Sequence, residues 1–205
     1  YFSLPNMGGN QRPSPRKSVF RLLHQPAVSV GLMACGLFFM GQFALFTYVR
    51  PFLETVTHVS PSGLSLILLT IGIAGFIGTL IVALVLNAAF YLTLMAIPLL
   101  MALIAGVLML TGDSLWIVAL LLGFWGMLAT AAPTGWWTWI ARTLPEDAEA
   151  GGGLMVAVIQ LSIALGSTAG GGVFDTFGWQ STFALSSILL LSAGVLTFTT
   201  SRHRK

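Results

Sequence analysis

The sequence predicts an all-α membrane protein of six transmembrane helices. Three observations point there: the scarcity of charge, a row of six apolar stretches long enough to cross a bilayer, and a one-sided placement of Lys and Arg. Of 205 residues, 56% are hydrophobic and only 7% are charged. Mean hydropathy is +0.92. A water-soluble domain carries about 25% charged residues. A chain with so few cannot clothe a surface that faces water, so lipid must cover it. The pI near 9.5 would suit nucleic acid. Net charge is only +3, however, and the basic residues stand at span ends. The membrane surface is the better partner, and no nucleic acid is expected. The single Cys35 excludes an intramolecular disulfide.

The six stretches are Ala27–Val49, Pro61–Leu86, Phe90–Thr111, Leu115–Ile140, Gly151–Phe174 and Thr182–Thr199. A helix needs roughly 20 residues at 1.5 Å each to cross the hydrocarbon. The breaks between them are polar or turn-forming: Thr57 through Pro61, Asn87, Gly112-Asp113, Pro145-Glu146-Asp147, and Asp175 through Gly178. The weakest is Leu86-Asn87-Ala88, which carries no charge and implies a very tight turn between the second and third spans.

Six spans bring both ends to one side. That side collects Arg12, Arg16, Lys17, Arg21, Arg142, Arg202, Arg204 and Lys205, against Arg50 alone on the other. The positive-inside rule then places both termini in the cytoplasm. Residues 1–26 are rich in Gly, Pro, Ser and basic residues and read as a flexible cytoplasmic linker. Residues 27–200 form the bundle, and 201–205 a basic tail. The chain begins with Tyr1 rather than Met, so more protein is expected upstream.

A polar group in hydrocarbon needs a reason to be there. The six carboxylates (Glu54, Asp113, Glu146, Asp147, Glu149, Asp175) all fall in loops or at span ends. The segment alone therefore offers no central acid to carry a proton. The spans do contain Gln42, Gln160, Tyr48 with Arg50, and Trp125, Trp136, Trp137 and Trp139 around Pro133. Interhelical hydrogen bonding accounts for the glutamines about as well as a polar cavity does. Trp139 suits the interfacial aromatic belt, whereas Trp136 lies deeper and suits a cavity. Arg50 fits snorkelling to the headgroups as well as substrate contact. The candidate substrate contacts are Gln42, Tyr48, Arg50, Trp136 and Gln160.

Small residues form a second pattern. Gly72 and Gly75 on span two, and Gly166 and Gly170 on span five, are candidates for close helix packing and gating. At helical spacing Gly153, Ala157, Gln160, Ala164, Ser167 and Gly171 make one small-and-polar stripe. Pro133 is expected to bend span four.

Catalytic motifs fail on inspection. Gly112-Asp113-Ser114-Leu115 matches four letters of a hydrolase signature but falls in a short loop. Gly166-Ser167-Thr168-Ala169-Gly170 has Ser in the wrong place for a nucleophile elbow. There is no phosphate-binding loop and no metal cluster. No enzyme activity, catalytic residue, cofactor or metal is expected.

Several segments resemble the major facilitator superfamily, in its branch of bacterial drug, sugar and nucleoside exporters. Gly41-Gln42-Phe43-Ala44-Leu45-Phe46-Thr47-Tyr48-Val49-Arg50-Pro51 resembles the seventh helix of that twelve-helix fold. Pro133 through Arg142 (Pro-Thr-Gly-Trp-Trp-Thr-Trp-Ile-Ala-Arg) resembles the tenth helix of purine-ribonucleoside exporters. Val156 through Leu161, then Gly166, Gly170-Gly171 and Asp175 with Gly178, resembles the eleventh. The loop at Leu86 through Ala89 lacks the basic residues that relatives carry there, and Glu149 stands where relatives often have a basic residue.

The resemblance implies helices seven to twelve: two inverted three-helix repeats, one half of the major facilitator fold. Residues 1–26 would be the central loop, and a missing N-terminal six-helix half the chief partner. It implies a bacterial inner-membrane antiporter, exporting small polar molecules such as purine nucleosides in exchange for protons. Sugars and drugs are the alternative substrates. A non-transporting membrane scaffold subunit is the competing class.

Overall fold

Helices start and stop where local chemistry directs. The structure is a computed structural model and describes residues 22–202. Its elements are α1 (Pro26–Phe46), α2 (Val49–Thr55), α3 (Pro61–Thr111), α4 (Leu115–Thr143), α5 (Ala148–Phe177) and α6 (Trp179–Arg202). Proline opens α1 and α3 at the first helical turn, where a missing N–H costs nothing. Ser60 caps α3 by accepting from the Gly63 N–H at 3.3 Å. Gly178, at φ 84°, closes α5 in a conformation that favours glycine.

Among the described residues, five helices are long and apolar enough to cross a membrane. They make six spans because α3 holds two. At 1.5 Å per residue its 51 residues would reach about 77 Å, more than twice a bilayer core. The helix folds back at Ala89, whose φ −152° and ψ 70° are not helical. Thr93 Oγ1 there donates to the carbonyls of Ala89 (2.8 Å) and Val85 (3.3 Å). The uncharged break thus becomes a tight turn without a loop. Beside it the Arg142 guanidinium sits 4.3 Å above the Phe90 ring centre, a cation–π contact joining the end of α4 to the start of the third span. The end of span one also differs from expectation. Span one extends past Val49 and is interrupted at Thr47-Tyr48, with α2 as a short continuation.

The packing is exchanged between the two three-helix units. Span one (α1) packs on α5 and α6, while α4 packs on both halves of α3, and the third span meets α6. Exchanging spans one, two and three with four, five and six maps this set of contacts onto itself. That is the inverted repeat. Glycines make its two principal seams. On α5, a Cβ at Gly166 or Gly170 would run into the backbone of Met40 or Ala44. On span two, a Cβ at Gly78 would run into the Met127 carbonyl, and one at Gly75 would meet Thr130 Cγ2 at 2.9 Å. At Gly72 a Cβ would meet nothing within 4 Å, so packing inside the bundle does not require glycine there.

Hydroxyls reinforce the seams. Thr130 Oγ1 donates to the Gly75 carbonyl (2.8 Å), Ser186 Oγ to Gly41 (2.6 Å) and Ser187 Oγ to Ala102 (3.0 Å). In hydrocarbon these are the bonds that water cannot replace. Helix α4 is continuous through Pro133. Leu22, which the sequence assigns to the linker, is fully buried in the core. The rest of the linker up to residue 21, and the tail from 203, lie outside the described residues.

Replacing Gly78 or Gly166 by Leu is expected to destabilise the intact protein by at least the about 1–3 kcal/mol typical of overpacking, because backbone rather than a side chain would have to give way. Gly72→Leu is expected to be nearly neutral. Thermal denaturation in detergent reads the difference, and equal shifts at the three positions would contradict the seam.

Candidate functional site

Two polar loci stand out: one on the open face of the bundle, one sealed inside it. The open face runs along the joint of α1 and α5. On α5, Ala157, Gln160 and Ala164 are exposed and Ser167 is half-buried. They recur every three or four residues and so line one face. Phe46, Thr47, Arg50 and Glu54 are exposed on the neighbouring α1–α2 segment.

The interruption of span one builds the joint. Thr47 Oγ1 and Ser167 Oγ share a hydrogen bond of 2.9 Å. Tyr48 is half-buried; its hydroxyl donates to the Ser167 carbonyl at 3.0 Å, and its ring stacks on Phe174 at 5.3 Å. Gly171 leaves the room that the Tyr48 hydroxyl occupies. Two turns from Ser167, Gln160 has an exposed amide on the same face. Tyr48 and Gln160 thus stand along one surface, with Arg50 at its end. Arg50 Nε donates to Glu54 Oε1 at 2.8 Å, as expected of residues four apart on a helix.

Gln42 and Trp136 lie elsewhere. Gln42 is only 8% exposed and Trp136 2%. Gly31, Phe38 and Gln42 fall on one stripe of α1. The Trp139 ring fills the space that Gly31 leaves empty. Phe38 meets Trp136 at 6.5 Å, and Trp136 meets Trp139 edge-on at 5.9 Å. Bulky rings therefore close the half of this seam nearer the start of α1 and the end of α4. Further along, Gln42 Oε1 and Trp125 Nε1 are both buried without a hydrogen-bond partner among the described residues. Counting from the Gly31–Trp139 contact at 1.5 Å per residue, Gln42 lies about 16 Å along α1 and Trp125 about 21 Å along the antiparallel α4. By this count the orphaned acceptor and the orphaned donor lie within about 5 Å of each other in depth.

Sequence reasoning missed Ser167, Thr47 and Trp125 as site residues. Ser167 carried a signal, since it sits seven residues after Gln160 on the small-and-polar stripe. Thr47 became available only through the interruption of span one. Trp125 was visible, but its unpaired N–H was not.

Comparison with known proteins fits this architecture. The model of the Major Facilitator Superfamily matches residues 32–205. The chain belongs to that family. A Pseudomonas aeruginosa protein named "Transcription regulatory protein OpdE" is 59% identical over 205 residues, covering 98% of this chain and 51% of its own length. The "Purine ribonucleoside efflux pump NepI" of Salmonella enteritidis is 42% identical over 190 residues, covering 92% of this chain and 47% of its own length. Its Salmonella typhimurium counterpart matches equally well. The chain spans about half the length of the curated relatives it matches.

A buried polar group without a partner costs about 1–3 kcal/mol. Gln42→Leu, which roughly keeps the volume and removes the orphan, is therefore expected to raise the melting midpoint of the intact protein. A lowered midpoint would show that Gln42 is satisfied in the folded protein.

Proposed function

We propose that this chain is the second half of a secondary transporter that exports small polar molecules, purine ribonucleosides first among them, in exchange for protons. The observation that carries the reading is the open surface of Tyr48, Ser167 and Gln160 on a six-span half-bundle of the Major Facilitator Superfamily. Alternating access requires two bundles rocking about a site between them, and this surface offers one wall. Amide and hydroxyl groups suit the hydrogen-bonding edges of a heterocyclic base and its sugar. The name of the Salmonella relative supports the nucleoside. Sugars and drugs remain the alternative cargo.

The other wall belongs to a six-helix half preceding this one. That half would also supply the proton carrier, since the carboxylates here stand at span ends. Eight of nine basic residues on one side favour the bacterial inner membrane with both ends of this segment cytoplasmic.

A second reading draws on the name of the Pseudomonas relative. Five apolar helices suit a membrane role, so an effect on transcription would pass through control of an inducer's concentration. Reporter expression in cells carrying a transport-dead variant separates the two: regulation that survives loss of transport would favour a separate regulatory activity.

Flux in proteoliposomes tests the main reading. The intact protein is expected to move inosine against an imposed proton gradient, Gln160→Ala to lose about tenfold in kcat/KM, the equivalent of about 1.4 kcal/mol, and the 205-residue segment alone to move none. Inosine flux indifferent to the gradient would remove proton coupling, and flux by the segment alone would refute the half-transporter.

A further inference from the structure

We propose that the groove beside Arg50 and Glu54 is a second recognition site for the exported molecule, in which the Glu54 carboxylate reads the neighbouring hydroxyls of a ribose. The proposal rests on the nucleoside-export reading and extends it to the end of the bundle, beyond the interruption of span one.

The groove has a volume of about 400 Å³ and lies between α2 and the first two turns of α3. That is within the range of small-molecule sites, about 300–1,000 Å³. Its walls differ in chemistry. Arg50, Glu54 and Ser65 supply its polar lining, and Val59, Pro61, Leu64 and Leu68 its apolar lining. A ribonucleoside divides the same way, with hydroxyls on the sugar and apolar faces on the base.

Glu54 is the reader because of how it is held. Arg50 engages Oε1 through Nε at 2.8 Å. This fixes the carboxylate and leaves Oε2 and the second lone pair of Oε1 to accept from a ligand. Two adjacent hydroxyls can donate to one carboxylate, and O–H···O⁻ bonds are short and strong. The Ser65 hydroxyl spends its proton on the Pro61 carbonyl, 3.1 Å away, so its oxygen is left as an acceptor for a third donor. The charges of Arg50 and Glu54 offset each other, so the groove has no net attraction for phosphate. It suits a nucleoside and not a nucleotide. An exposed ion pair four residues apart on a helix contributes little to stability on its own, which leaves the pair available for recognition.

With both ends of the segment in the cytoplasm, this groove faces outward. It would be the last site that cargo touches before release, or the first that external nucleoside meets.

The test compares inosine, 2′-deoxyinosine and 2′,3′-dideoxyinosine as substrates of the intact protein in proteoliposomes. The wild type is expected to favour inosine over the dideoxy compound by about tenfold in kcat/KM, the modest ratio fitting a site open to water. Glu54→Gln is expected to bring that ratio close to one while leaving dideoxyinosine flux unchanged, and Glu54→Asp to restore part of it. Dideoxyinosine flux is also the control for folding. A ratio unaltered by Glu54→Gln, or an equal loss for all three compounds, would overturn the site and leave the export reading standing. Absence of any nucleoside flux in the wild type would overturn the export reading itself.

Discussion

In hydrocarbon, a helix cannot lend a polar group to water, and most of this bundle follows from that one constraint. Backbone groups are satisfied within helices. Hydroxyls either bond back to a carbonyl one turn earlier, as Thr79 and Thr138 do, or cross to a neighbouring helix, as Thr130 and Ser186 do. No hydrophobic force draws apolar helices together in lipid, so cohesion must come from close contact. Glycine supplies it. Gly78, Gly166 and Gly170 bring backbone against backbone, Gly75 makes room for the Thr130 side chain, and their two seams correspond under the repeat exchange. The architecture needs little more than these contacts and the hydroxyl bonds that accompany them.

Against that rule, Gln42 and Trp125 are exceptions. Each buries a polar atom with no partner among the described residues, inside a seam otherwise filled by Phe38, Trp136 and Trp139. A bundle selected only for stability would place leucine and phenylalanine there. The exposed stripe through Gln160 and Ser167 departs from the rule in the other direction, presenting polar groups on a face that a self-sufficient bundle would make apolar. The first departure lies between α1 and α4, and the second on α5 where it joins α1.

Much of the fold was legible in the sequence, and the reasons are specific. Hydropathy and charge placement are properties of single segments, so the six spans could be read directly from composition. The stripe on α5 was legible because helical period converts spacing into a face. The interruption at Thr47-Tyr48 was less so: Pro51 hinted at it, but the break lies three residues before that proline. The division of the candidate residues was not legible at all. Gln42 and Gln160 look alike in sequence, each an amide near the middle of a span. Only the rotation of each helix against its neighbours puts one in a sealed seam and the other on the surface. Gly72 and Gly75 are also one turn apart and chemically identical, yet only Gly75 meets another helix.

The spacing of Gly166 and Gly170 has a mechanical consequence. The two lie four residues apart on α5, against Met40 and Ala44, which are four apart on the parallel α1. A slip of one helix past the other by about 6 Å would again set a glycine opposite a carbonyl. The glycine spacing would thus permit a second close-packed register one turn away, where a missing side chain again meets backbone. Leucine or valine in either place would force the two backbones apart in both registers.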